Sequence, residues 1–252
     1  MKGPNSHGEA KFRRISNFLG HLRGERDSLQ MRGSLRGTRM LANPRAVENV
    51  REMYAQWLQT RGLDMLVKDD PTFDSALGAA MEHELRLLAS DVVLGSGDGR
   101  LATLLQAPYT FVNDGLLAFY GDDVTATDGT PGPSTFVRAQ LDPEHRGGLM
   151  TLPGVMPRHS RSNRVGLSIR GLIFREAWLC NSIPPEPPDV DGDVEGDSRY
   201  EIIESLLDQA SCAGCHQILE PPQVAFDNYD ELGRWQEEIE EVPSRATANS
   251  SA

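Results

Sequence analysis

Two cysteines three apart with a histidine directly after the second, Cys212-Ala213-Gly214-Cys215-His216, form the group in this chain whose types and spacing could do chemistry. This is the spacing at which haem c is attached. Two thiols on one helical turn can form thioethers with the two vinyl groups of a haem, and the adjacent imidazole then lies below the iron as proximal ligand. Other readings compete. A zinc site could take Cys180 with Cys212, Cys215 and His216 as a Cys₃His set, yet Cys180 stands alone where most zinc modules carry a second close-spaced pair. A redox dithiol would need a βαβ setting, and the surroundings of Cys212 read as helical; two idle thiols are the plainest alternative. Haem c leads, with Cys212 and Cys215 as attachment points, His216 as the ligand to the iron, and zinc as the alternative.

The second axial ligand of a single-haem cytochrome is commonly Met or His, and neither follows His216. Met150, Met156, His145 and His159 lie upstream, and isolated methionines are more often core filler than ligands. A continuation of the chain, another chain or water could also fill the position, and a missing continuation is the favoured source. The first forty residues hold no apolar run of signal-peptide or membrane-helix length. Haem attachment takes place outside the cytoplasm, so the expectation is a fragment of a periplasmic or cell-envelope protein.

The motif must be positioned by helices. Asn43 can cap and Pro44 can open a helix with Val47, Val50, Tyr54, Trp57 and Leu58 at helical spacing. A second helix is expected from Asp70-Pro71 through Leu77, Met81, Leu85, Leu88 and Val92 to the glycine run at Gly95. A short one covers Leu101–Gln106, and another carries Leu116, Leu117, Phe119 and Tyr120 to Gly121. The stretch from Asp122 to Pro133 reads as an exposed loop, and Thr135–Arg138 as a brief extended segment. Helical spacing resumes from Val165 to Cys180. Ser198 and Glu201 then form a capping box for a helix whose stripe of Ile202, Ile203, Leu206, Leu207 and Ala210 delivers Cys212.

The organisation that follows is a basic, poorly ordered arm over 1–40, with one short helix expected near Phe12–Leu22, and a helical body over 41–183. A Pro/Asp-rich linker occupies 184–197, a c-type haem motif segment 198–236, and an acidic, disordered tail 237–252. The fold class is mainly α: a helical body followed by a small cytochrome c-like segment. So small a segment should pack on the body or depend on its ligand.

Charge and the remaining motifs exclude other functions. Net charge is −12, yet residues 1–40 hold nine Lys/Arg against three Asp/Glu, which leaves a strongly acidic remainder. Phosphate-backbone binding needs clustered Lys/Arg, so nucleic acid is not expected. Gly95–Arg100 lacks the lysine and hydroxyl of a phosphate loop, and no Gly-x-Ser-x-Gly or His-Glu-x-x-His motif appears. In the alternating aspartates from Asp189, Val194 and Tyr200 stand where a calcium loop needs Gly and Glu. Glu82-His83-Glu84 looks like a metal cluster, but adjacent helical residues point to different sides, and a solvated face is the better reading. Arg158, Arg161, Arg164 or Arg170 could pair with haem propionates, against a plain surface-loop reading.

Several stretches resemble a known family. Gly97–Leu105 with Pro108–Asn113, then Arg146-Gly147-Gly148-Leu149, Arg170-Gly171, Leu179-Cys180 and the proline run resemble segments of large multi-domain bacterial proteins of unknown function, the planctomycete cytochrome C-like family with myxobacterial relatives. The closing segment, from the Cys-x-x-Cys-His motif through Pro221, Phe226-Asp227-Asn228-Tyr229-Asp230 and Gly233-Arg234-Trp235, is similar to that family's last part. The resemblance covers about Gly37 to Gln236. It implies an exported, mainly helical protein with a c-type haem and no established reaction. This chain departs from the family pattern in carrying Leu167-Ser168-Ile169 before the Arg-Gly pair, and Gln223 where a glycine is usual.

Two functions follow. One is electron transfer through a covalently held haem, as a carrier or a domain of a larger oxidoreductase rather than a stand-alone enzyme. From Pro185 onward, seventeen Asp/Glu face three Lys/Arg, so a redox partner with a basic surface is expected, or further domains of a longer protein. No membrane-spanning segment is expected. The other is a non-redox interaction or scaffold module of the envelope with an empty or zinc-binding motif.

Overall fold

The computed structural model describes residues 35–166, 168–184 and 198–238. The expected arm helix, the Pro/Asp-rich linker with its aspartate run and most of the acidic tail lie outside these residues. The chain divides into two compact units, Met1–Asn49 and Val50–Ala252. In the first, Asn43 caps as its position predicts: its side chain accepts from the Arg45 N–H at 2.9 Å. Helix α1, Pro44–Trp57, starts there.

The second unit is mainly helical and is built around α2, Ser75–Leu94. Met81, Leu85, Leu88 and Val92 recur on one face of this helix and are fully enclosed. It begins later than the expected Asp70. Asp70 is consumed in a local turn, accepting from the Thr72 N–H at 2.7 Å, and the cap passes to Asp74, which accepts from the Leu77 N–H at 2.8 Å. Helices α3, Leu101–Gln106, and α4, Asp114–Tyr120, stand where the sequence places them. Asn113 caps α4 through the Leu116 N–H at 2.9 Å.

A three-stranded antiparallel sheet packs on this layer. Its strands are β1 (Tyr109–Val112), β2 (Val124–Ala126) and β3 (Val137–Leu141), in the order β1-β3-β2, with Thr110 opposite Ala139 and Thr125 opposite Gln140. Val137, Ala139 and Leu141 face inward. The expected loop from Asp122 and the extended segment at Thr135 therefore become two paired strands, and Pro108–Asn113 a third. Strands of three to five residues are too short to show an alternating period in sequence.

Glu84 corrects a reading. It is not on a solvated face but fully buried, where its Oε1 accepts from the Thr110 hydroxyl at 2.7 Å and the Tyr120 hydroxyl at 2.6 Å. Its neighbours do diverge, as helical geometry demands: Glu82 pairs with Arg86 at 2.6 Å, and His83 meets the Phe136 ring.

The expected helix from Val165 to Cys180 is shorter and mixed. It is α5, Ile169–Ile173, running into a π-helical turn over Phe174–Trp178. Ser168 before it and Cys180 after it both have left-handed backbones, at φ 59° and 52°. Beyond the linker, Ser198 accepts from the Glu201 N–H at 3.2 Å and starts α6, Arg199–Asp208. Gln209 is extended and breaks the run, so Cys212 is carried by a separate helix, α7, Ala210–Val224. The apolar stripe crosses this break without a gap, which is why periodicity alone shows one helix.

Among the described residues no helix is long and apolar enough to cross a membrane.

Candidate functional site

The prolines of α7 lock it against α5. Pro221 and Pro222 have no N–H, so the carbonyls of Gln217 and Ile218 lose their intrahelical donors. The Ile218 carbonyl is satisfied instead by Nε of Arg175 at 2.9 Å. The two helices touch backbone to backbone at Gly171: a Cβ there would lie 2.0 Å from the Leu219 carbonyl oxygen, so only glycine fits.

Capping at the start of α5 is exchanged between helices. Ser168 occupies the cap position without donating or accepting a capping bond through its side chain. That job falls to Gln223 of α7, fully buried, whose Oε1 accepts from the Arg170 N–H at 3.1 Å and whose Nε2 donates to Asp227 at 3.3 Å. The residue at the family's usual glycine position thus ties α7 to α5. The Ser168 hydroxyl is left free to point at α7. A left-handed non-glycine residue costs about 1 kcal/mol, and here that conformation aims the hydroxyl at Glu220.

Cys212, Cys215 and His216 lie on α7, within one turn, as their spacing requires. All three cysteines are free thiols; Cys212 is buried, Cys215 half-buried and Cys180 exposed. The Cys212 Sγ lies 3.6 Å from the Ser211 hydroxyl. A Cβ added at exposed Gly214, between the two thiols, would meet nothing within 4 Å, so this flank of the motif is open.

His216 is fixed at one nitrogen. Its Nδ1 lies 2.7 Å from Glu220 Oε1 and 3.2 Å from the Ser168 hydroxyl, and Ser168 also donates to Glu220 Oε1. Histidine and glutamate are one helical turn apart, on the same face. An ionised carboxylate only accepts, so the proton belongs on Nδ1, which leaves the lone pair on Nε2. Among the described residues Nε2 has no partner. Reading the motif only as far as His216 misses Glu220 and Ser168; the i, i+4 position of Glu220 is the signal in the sequence that points to it.

This donor set fits haem c: two free thiols one turn apart, and an imidazole whose Nδ1 is engaged and whose Nε2 is available. It does not fit the zinc set. Among the described residues no group of three His, Cys, Asp or Glu side chains is placed to hold a metal ion, and Cys180 lies exposed just past the end of the α5 and π-turn segment.

The other expected participants are held elsewhere. His145 Nδ1 lies 2.9 Å from Asp123 and its ring stacks on Trp235. His159 is buried with Nε2 3.3 Å from the Leu58 carbonyl, and burial pushes its pKa down to about 4. Met150, Met156 and His159 line a void of only about 10 Å³, at the threshold for a single water.

Of the arginines considered for propionates, Arg170 is held inside the protein by both terminal nitrogens, while its buried Nε has no partner among the described residues. It donates to the carbonyls of Phe226, Tyr229 and Asp230 and to the Ser160 hydroxyl. Burial, then the charge of Arg199, lower its pKa to about 10, so it stays charged at neutral pH. Arg158 donates to the Arg61 carbonyl, whereas Arg161 and Arg164 are exposed.

Arg170 thus clasps the segment after α7 to the start of α5. Arg146 does the same from the sheet side: it donates to Asp123 at 2.8 Å, to the Thr151 carbonyl at 2.8 Å and to the Gly233 carbonyl at 2.9 Å. Arg199 pairs with Asp227 in the interior.

The fold and site define a mainly helical protein with a Cys-x-x-Cys-His helix seated against its body. Two family models match. One, PSD4, a protein of unknown function (DUF1592), matches residues 24–121; the other, PSCyt3, a protein of unknown function (DUF1588), matches residues 146–239 and includes the whole motif together with Ser168 and Glu220. Residues 24–121 and 146–239 are thus domains of these planctomycete cytochrome-like families of unknown function. No curated protein and no solved structure matches it.

Proposed function

We propose that this chain binds haem c covalently through Cys212 and Cys215, with His216 Nε2 as the proximal ligand, and serves in electron transfer in the bacterial cell envelope. The observation that carries the reading is the combination on α7 of two free thiols one turn apart with an imidazole already held by Nδ1. Haem supplies a one-electron centre that the side chains themselves lack.

The chain's own residues do the rest. Cys212 and Cys215 would hold the haem by addition of each thiol across one vinyl group, sulfur to the inner carbon and the thiol hydrogen to the outer one, which would require no net oxidation. Glu220 and Ser168 hold the imidazole by Nδ1. The Gly171 contact, Arg170 and Gln223 keep α7 in place, so the ligand does not need to be reorganised when an electron arrives.

The acidic charge from Pro185 onward would steer a partner with a basic surface, and the rate of encounter would fall with salt. The cytochrome-like family name agrees with this reading. The test is to express the chain with an export signal in a host that attaches haem c. An intact mass increased by one haem, lost in the Cys212→Ala/Cys215→Ala double variant, supports it. A colourless protein, under conditions that load a control cytochrome, overturns it in favour of an interaction module.

A further inference from the structure

We propose that Glu220, supported by Ser168, is a positioning residue that sets the tautomer of His216 and, on the haem reading above, increases the electron donation of its Nε2 to the iron. The proposal rests on that reading for its second half only; the first half concerns the chain's own side chains.

Three observations separate this arrangement from an ordinary helical ion pair. An i, i+4 pair on a helix surface is solvated, but the Glu220 side chain is 5% exposed. Among the described residues both bonds to the carboxylate fall on Oε1, from His216 and from Ser168, while Oε2 is buried without a partner. A buried carboxylate with one bare oxygen is poorly satisfied as a structural brace, so its negative charge is directed at the imidazole rather than dispersed over several donors.

The third observation is Ser168 itself. It stands at a helix start in a left-handed conformation, its capping task taken by Gln223, and its hydroxyl is spent on the same carboxylate oxygen.

The consequences follow from hydrogen-bond chemistry. A strong acceptor on Nδ1 holds the proton there and raises the basicity of Nε2. A more basic proximal ligand favours the oxidised iron, so Glu220 would lower the reduction potential.

The test uses the full chain in two states. Without haem, nitrogen NMR at about pH 8, where an ordinary imidazole is neutral, should show His216 with the proton on Nδ1 by about tenfold or more, the excess expected from a charged hydrogen bond. Glu220→Ala should remove that excess, with the far-ultraviolet dichroism of the helices retained. If that variant fails to fold, Glu220→Gln, which keeps an acceptor oxygen without the charge, should reduce the excess. A wild-type ring protonated on Nε2, or a ratio that none of these variants changes, overturns the proposal whether or not haem is taken up.

With haem, Glu220→Gln should leave loading intact, raise the midpoint potential and lower the frequency of the iron–histidine stretch. A purely structural role would leave both unmoved and would overturn the second half. Failure of the wild type to load haem would instead refute the electron-transfer reading, and the tautomer measurement would still decide the role of Glu220.

Discussion

Glu84 gives the chain a pH signature that can be worked out in advance. Burial pushes its pKa up from 4.5 to about 7, although the Tyr120 and Thr110 hydroxyls and the charge of Arg146 all act the other way. The folded-state value lies above the unfolded one. Between about pH 4.5 and 7 the folded chain therefore holds a proton that the unfolded chain has released, and stability must fall as pH rises through that window. At about 1.4 kcal/mol per pH unit, the full loss is about 3 kcal/mol.

His159 has the opposite slope. Burial lowers its pKa from 6.5 to about 4, so its contribution rises between about pH 4 and 6.5, where the unfolded imidazole binds a proton that the folded one refuses. The two nearly cancel in the wild type over most of this range, and the decline due to Glu84 emerges above about pH 6.5.

The Glu84→Gln variant isolates the first effect, because His159 cancels in the difference. Glutamine can accept from both hydroxyls, but its NH₂ replaces an Oε2 that has no partner, at a cost of about 1–3 kcal/mol. Urea unfolding followed by tryptophan fluorescence should show the variant less stable than wild type by that amount near pH 4.5. The gap should close or reverse by about pH 8, a total change of about 3 kcal/mol. A gap that stays constant across the range would refute the burial argument for Glu84.

Further consequences bear on how α7 is seated. Gly171→Ala should shift the urea midpoint downward by the equivalent of about 2 kcal/mol, an overpacking cost, because its Cβ would meet the Leu219 carbonyl at 2.0 Å; an unchanged midpoint would mean that α5 and α7 can part freely. Arg170→Met should cost about 3 kcal/mol or more, measured in the same way, since three carbonyls and the Ser160 hydroxyl lose their shared donor. Ser198→Ala should cost about 1 kcal/mol through loss of the cap on Glu201, and should leave covalent haem uptake unchanged.

Local signals in the sequence locate most of the helices and not the contacts between them. Asn43 and Ser198 are read correctly as caps because a short polar side chain before an apolar periodic run has one favourable use there. The start of α2 is misplaced because two aspartates, Asp70 and Asp74, offer themselves and only the fold decides that the first is taken by Thr72. The sheet is hidden by the brevity of its strands, and the break at Gln209 by a stripe that runs across it.

At the site, Cys212, Cys215 and His216 announce themselves through fixed spacing. Glu220 is within reach of inspection, four residues on. Ser168 is forty-eight residues away in sequence and meets His216 only because Gly171 lets α5 approach α7. Gln223, which reads as a lost glycine, is a cap supplied from another helix, a role that no local pattern encodes. Glu84 illustrates the same limit: its two hydroxyl donors come from β1 and α4, so a residue that looks solvated in isolation is enclosed by tertiary structure.

The most direct test of the central claim is the intact mass and reduced spectrum of the exported chain, made in a host with a working haem-attachment system. The account predicts one added haem, a sharp reduced α band, and the loss of both when Cys212 and Cys215 are changed to alanine. A colourless protein at apoprotein mass beside a loaded control, or covalent haem that survives the double change, would contradict it.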